Sequence, residues 1–208
     1  MARHNLYCQK AMPDSCPALL FIVSCTFFSC LHNIGREGRG TMRFVMNYNR
    51  RAAVQYAHRW AYSRNPRFYD YENIGGDCTN FASQCIFAGS GQMNFTPTFG
   101  WYYINANEKA PAWTGVEYLY RFLVRETMSV GPVGRVVSIE EILPGDIVQL
   151  RFGDDGFRHT PVVVWADRPR SPADILVAAH SQDADNRPLS SYTYEEVRYI
   201  HIDGVIRP

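Results

Sequence analysis

The order of its patterns predicts that this chain is an α+β domain, with helices first and an antiparallel sheet built from the strands that follow. Three observations carry the prediction. Between residues 48 and 126 apolar side chains recur at helical spacing. From Ile147 onward they run in short, β-branched stretches bounded by Pro, Gly and Asp. The length, 208 residues, suits one ordinary domain with its own core.

The elements follow in order. Residues 48–63 read as a helix with Ala52, Ala53, Tyr56, Ala57 and Trp60 inward, capped by Asn49 and ended by Asn65-Pro66. An aromatic loop (Phe68, Tyr69, Tyr71) leads to Gly75-Gly76-Asp77-Cys78. There the glycines permit a tight entry, and Asp77 is the expected N-cap of a second helix running to Gly89-Ser90-Gly91. A stretch with little period but many aromatics comes next (Phe95, Phe99, Trp101, Tyr102, Tyr103, Trp113). A third helix is expected over residues 115–126. Leu143-Pro144-Gly145-Asp146 turns into a strand at 147–152, and further strands are expected at 160–165, 175–180 and 197–202. The loop at 167–172 makes the middle two a hairpin whose symmetric register sets His159 opposite His180.

Composition excludes some functions. A formal charge of +1 leaves no electrostatic footprint for nucleic acid or for a membrane surface. Of the six cysteines, Cys8, Cys16, Cys25 and Cys30 crowd the first thirty residues, and only Cys78 and Cys85 lie in the remainder. The core is therefore not a disulfide-stapled one, and Cys85 is expected to be a small buried apolar residue. Residues 1–41 differ in composition and form a non-domain extension to a domain at 42–208. Either translation starts at Met42 or Met46, which leaves no export signal and a cytoplasmic protein, or the segment is a signal. In the second case Cys25 closes a lipoprotein-type box and the protein is exported or lipid-anchored. The apolar run at 18–23 is too short for a stable membrane span.

The chemistry centres on Cys78. A thiol in the first turn of a helix faces the positive end of its dipole, which favours the nucleophilic thiolate. A nucleophile needs a base, and the base needs an orienting group. The assignment is Cys78 as nucleophile, His159 as base and His180 as orienting residue, with Asp183 as a substitute for the third. The backbone N–H of Cys78 donates to the developing oxyanion, and Asn73 and Tyr71 are candidates for a second donor. Trp101 and Trp113 are expected to shape the substrate groove. This reading needs no metal or cofactor. A rival reading has Cys78, His159 and His180 holding a zinc ion, and another makes the domain a catalytically silent peptide-binding module. His58 and His201 read as surface or packing residues.

Gly76-Asp77-Cys78-Thr79-Asn80-Phe81, then Leu143-Pro144-Gly145-Asp146-Ile147, then His159 before an apolar strand, resemble the papain-like cell-wall hydrolases of the NlpC and CHAP type. The chain resembles more closely the bacterial "putative amidase domain" family. The pattern continues through Tyr48-Asn49-Arg50, Ala57, Trp60, Asn65-Pro66, Gly100-Trp101-Tyr102-Tyr103, Trp113-Thr114-Gly115 and Ala179-His180-Ser181, covering residues 46–203. The resemblance implies a papain-like fold, in which a cysteine-bearing helix packs on an antiparallel sheet, and amide hydrolysis as the chemistry. It also implies a peptide or peptidoglycan-type amide as substrate; the expected state is a monomer.

Overall fold

The structure is a computed structural model that describes residues 45–208. The expectations for residues 1–41 lie outside the described residues. The elements are β1 (Val45–Met46), α1 (Arg50–Trp60), α2 (Cys78–Ser90), α3 (Pro111–Thr114), α4 (Val116–Leu123), β2 (Gly131–Val137), β3 (Ile147–Arg151), β4 (Phe157–His159), β5 (Val162–Ala166), β6 (Ile175–Ala179), β7 (Ala184–Pro188) and β8 (Glu196–Ile206). Apart from the two-residue β1, helices precede strands as expected, and every strand pairing among the described residues is antiparallel. The sheet runs β1-β8-β3-β5-β6-β7, with β2 also paired to β8 and β4 to β3. Among the described residues no helix is long and apolar enough to cross a membrane.

The sheet separates two apolar clusters. One face packs on the helices, through Val162, Val164, Ala178 and Ile200 against Phe81, Ile86, Trp101 and Trp113. On the other, Val163, Val177 and Val148 meet Ile142, Leu189 and Tyr192 from the connecting segments. The alternation of Val162, Val163 and Val164 between clusters is the two-residue period of a strand covered on both faces.

Helix α2 is the centre of the helical layer, and eleven of its thirteen residues are buried. α1 offers it a face of small residues, Ala53 and Ala57. Asn49 caps α1 as expected, its side chain accepting from the Ala52 N–H at 3.0 Å. Gly89 is required in α2 because a Cβ there would lie 2.3 Å from the Tyr48 ring. Gly91, left-handed at φ 60°, stops α2, its N–H reaching the Phe87 carbonyl. The Leu143–Asp146 turn is tied down by Asp146, fully buried, which accepts from Arg50 at 2.6 Å and from the Ile202 N–H at 2.9 Å and pairs with His201 at 2.9 Å.

Three expectations are corrected. The third helix begins where expected, as α4, but stops at Leu123, and a separate turn, α3, precedes it across the extended Gly115. Strands β2 and β7, and the short β1 and β4, lie outside the expected set. The hairpin of β5 and β6 pairs Val162 with Ala178 and carries a bulge between Val163 and Trp165. That is one residue away from the register that would set His159 opposite His180. A slip of one residue exchanges the faces of a strand.

Candidate active site

The turn before α2 adopts the backbone that its glycines allow, Gly75 at φ 93° and Gly76 at φ 100°. It delivers Cys78 as the first residue of the helix. The thiol is 7% exposed. It donates to the Arg158 carbonyl at 3.7 Å and lies 3.8 Å from the Thr79 hydroxyl. Arg158 immediately precedes His159, so the sulfur abuts the segment that carries the expected base. Burial pushes the Cys78 thiol up, and Asp77 adds to the rise; hydrogen bonds from the Thr160 and Thr79 backbones and from the Thr79 hydroxyl oppose it. The dipole argument of the sequence thus loses to desolvation in the resting site.

His159 ends β4, opposite Leu150 of β3. Its ring lies 5.5 Å from the Tyr192 ring and 6.5 Å from that of Phe152. Its Nε2 is buried with no hydrogen-bond partner among the described residues. Burial, and secondarily the charge of Arg187, hold its pKa down at about 4. Tyr192 also lies within electrostatic range of Cys78. At neutral pH both the thiol and the imidazole are neutral.

His180 is placed differently from the expectation. Its Nδ1 meets Asp77 Oδ2 at 2.5 Å, its Nε2 donates to the Trp60 carbonyl at 2.9 Å, and its ring stacks on Phe81 with centroids 4.0 Å apart. A carbonyl only accepts, so Nε2 is the donor there, and the Asp77 carboxylate engages Nδ1. With both nitrogens occupied, His180 neither orients His159 nor joins Cys78 and His159 around a zinc ion.

Asp77 holds more of the site together than its expected role as an N-cap implies. Its side chain makes no capping bond to α2. Its Oδ1 accepts from the Tyr71 N–H at 2.9 Å and from Asn80 Nδ2 at 2.8 Å, and its own N–H donates to Ser181 Oγ at 2.7 Å. The rest of the motif is spent in the same way. Asn80 accepts from Trp113 Nε1 at 2.8 Å, Ser83 from Trp101 Nε1 at 3.0 Å, and Gln84 from the Tyr56 hydroxyl at 2.7 Å; Thr79 pairs with Thr160 at 3.1 Å. Buried polar groups need partners, and each polar residue of Asp77–Gln84 reaches a different segment.

The remaining candidates are corrected by the same contacts. Trp101 and Trp113 are fully buried and packed on one another, ring centroids 4.9 Å apart, so they build the core and not a groove. Tyr71 has committed its N–H to Asp77 and its hydroxyl to the Ala106 carbonyl. Asp183 is held by a two-pronged pair with Arg64 at 2.9 and 3.0 Å. Asn73 is exposed on the loop before the motif. Beside His159 lies a cleft of about 480 Å³, walled in part by Arg158, Gln182, Arg187, Ser191 and Tyr192. Arg187 and Tyr192 come from a Pro- and Ser-rich segment with no periodic signal.

A family model described as the putative amidase domain matches residues 47–202. The chain belongs to that family. Its description points to amide hydrolysis. The amidase domain is also 34% identical over 163 residues to the uncharacterized protein YhbB of Bacillus subtilis (strain 168), in an alignment that takes in 77% of the present chain and 49% of YhbB. The chain therefore spans about half the length of this relative. No solved structure matches it.

Proposed function

We propose that the domain is a cysteine-dependent amide hydrolase of papain-like design, with Cys78 as nucleophile and His159 as base. The observation that carries this is the thiol of the first α2 residue lying against the β4 backbone at Arg158, whose next residue, His159, has a buried Nε2 unpartnered among the described residues. Every other buried polar side chain of the motif is matched. His159 takes the thiol proton as sulfur bonds to the amide carbon, and the Cys78 N–H at the helix start faces the oxyanion. Collapse of the adduct expels the amine, which leaves with that proton, and water then converts the thioester to a carboxylate and restores the thiol. The substrate is a peptide amide, with peptidoglycan peptide the class that resemblance to NlpC- and CHAP-type enzymes favours.

Because the thiol is pushed up and the imidazole down, the resting pair is neutral, and proton transfer accompanies attack. Activity should therefore rise with pH through about 4, as His159 loses its proton, and remain high across neutral pH. The test is to incubate the purified protein with iodoacetamide and locate the modified cysteine by peptide mass spectrometry, followed by hydrolysis assays on peptidoglycan fragments. Labelling of Cys78 with loss of hydrolysis is the expected result. An inert Cys78 with turnover intact would refute the assignment. The burial of Cys78 favours one second reading, a peptide-binding module without turnover, for which fragments would bind but remain uncleaved by wild-type protein.

A further inference from the structure

The cleft beside His159 holds a positive charge that the protein leaves unmatched. No Asp or Glu lines it. Arg158, on its wall, is paired with Asp155 at 2.9 Å. Arg187 is paired with no carboxylate among the described residues. Its Nε donates to Ser191 Oγ at 2.8 Å, one Nη to the Ser191 carbonyl at 3.3 Å and the other to Gln182 Oε1 at 3.4 Å. The guanidinium lies 3.8 Å over the Tyr192 ring. The acids of the neighbouring segments are engaged elsewhere: Asp183 with Arg64, Asp185 with His58, and Glu195 and Glu196 with Arg151.

Neutral groups thus fix the guanidinium in place without cancelling its charge. They take one N–H from each of its three nitrogens, and the Tyr192 hydroxyl lies within its reach as well. A guanidinium held by neutral groups alone is suited to the charge and geometry of a carboxylate. Its field is felt at the base, where it is the second cause of the low His159 pKa. The rim is strained as well. Ser181 and Gln182 are non-glycine residues at φ 58° and 87°, and such backbone persists where its surroundings hold it, often beside ligands.

We propose that Arg187 anchors a carboxylate of the substrate, so that the amides attacked by Cys78 carry a free carboxylate a few bonds from the scissile carbonyl, as N-acyl amino acids and short acidic peptides do. This rests on the reading of Cys78 and His159 as nucleophile and base. It adds a consequence for them. A carboxylate docked on Arg187 neutralises the cation that opposes protonation of His159, so the correct substrate strengthens the base that must act on it.

Two alkylating reagents of nearly the same size test the idea, iodoacetate with its carboxylate and iodoacetamide without one. Toward a bare thiolate the anionic reagent has no advantage, because like charges repel. In the wild-type chain at low salt, iodoacetate should modify Cys78 faster than iodoacetamide. Arg187→Gln should lower the ratio of the two rates by about tenfold, as expected for loss of a charge-assisted hydrogen bond. A second arm needs no variant: N-acetylalanine should protect Cys78 from iodoacetamide, and N-acetylalaninamide should not. Iodoacetamide labelling with no preference for iodoacetate, or equal protection by acid and amide, overturns the carboxylate anchor and leaves the nucleophile standing. Failure of both reagents at Cys78 overturns the nucleophile and the anchor with it.

Discussion

His159 ends β4 and His180 directly follows β6 of the same sheet, yet they sit in opposite circumstances. His180 is 1% exposed, bonded through both nitrogens and stacked on Phe81. His159 is 7% exposed, its Nε2 has no partner among the described residues, and the rings of Tyr192 and Phe152 flank it. A residue whose hydrogen bonds are all made inside the protein has little left to offer a substrate. One that is buried with a bond unmade is a reservoir of chemistry, because the group that completes it comes from outside or from a neighbour in the transition state. The same contrast holds for the two regions. The Asp77–Gln84 motif is closed upon His180, Trp113, Trp101 and Tyr56, whereas the cleft has an unpaired imidazole nitrogen and an Arg187 that no carboxylate among the described residues matches.

The largest test of this contrast is kinetic. Cys78→Ala should lower amide hydrolysis at least about a thousandfold, and His159→Asn by about a hundredfold or more, with unfolding transitions at pH 7 nearly unmoved. His180→Ala should do the reverse. It leaves the Asp77 carboxylate buried without its partner, and denaturant unfolding should show a loss of about 3–5 kcal/mol. If His180→Ala were as stable as wild type, the division between a structural and a reactive histidine would collapse.

A smaller effect sharpens it through pH. His159 titrates near 4 in the fold against an ordinary 6.5. Between those values the unfolded chain binds a proton that the folded chain does not, so stability is full above 6.5 and falls as pH drops toward 4. The loss relative to His159→Asn should reach about 3 kcal/mol at the bottom of the window, measured by unfolding at several pH values.

Trp113→Phe removes the bond to Asn80 and leaves its oxygen buried, at a cost of about 2 kcal/mol. In whatever remains folded, KM should be unchanged, since the indole lies in the core. A raised KM would return Trp113 to the groove. Smallest of all, Asp183→Asn should cost under about 1 kcal/mol and leave turnover unaltered, because its pair with Arg64 is partly exposed.

Much of this molecule was legible from its residues. The start and stop of α2, the cap of α1, the turn into β3 and the order of helices before strands are local matters, set within a few residues by glycine, proline and capping side chains. The placement of Cys78 at a helix start belongs with them. Strands β2 and β7 escaped notice because Gly-Pro-Val-Gly-Arg-Val-Val and Ala-Asp-Asn-Arg-Pro lack a clean two-residue alternation. Trp101 and Trp113 were misassigned to a groove because an aromatic loop looks the same whether its indoles face solvent or reach Ser83 and Asn80.

The sequence alone thus determined an α+β domain carrying a cysteine at the mouth of a buried helix, with a histidine near by in the sheet. Only the tertiary structure decided which histidine stays unsatisfied. A one-residue register and a bulge in β5 and β6 cannot be read from symmetry about a loop, and the partners of His180, at Trp60 and Asp77, lie over a hundred residues away in the chain. Local conformational preference governs the first kind of fact. The second follows from packing, which brings distant polar groups together and leaves a few of them unmatched.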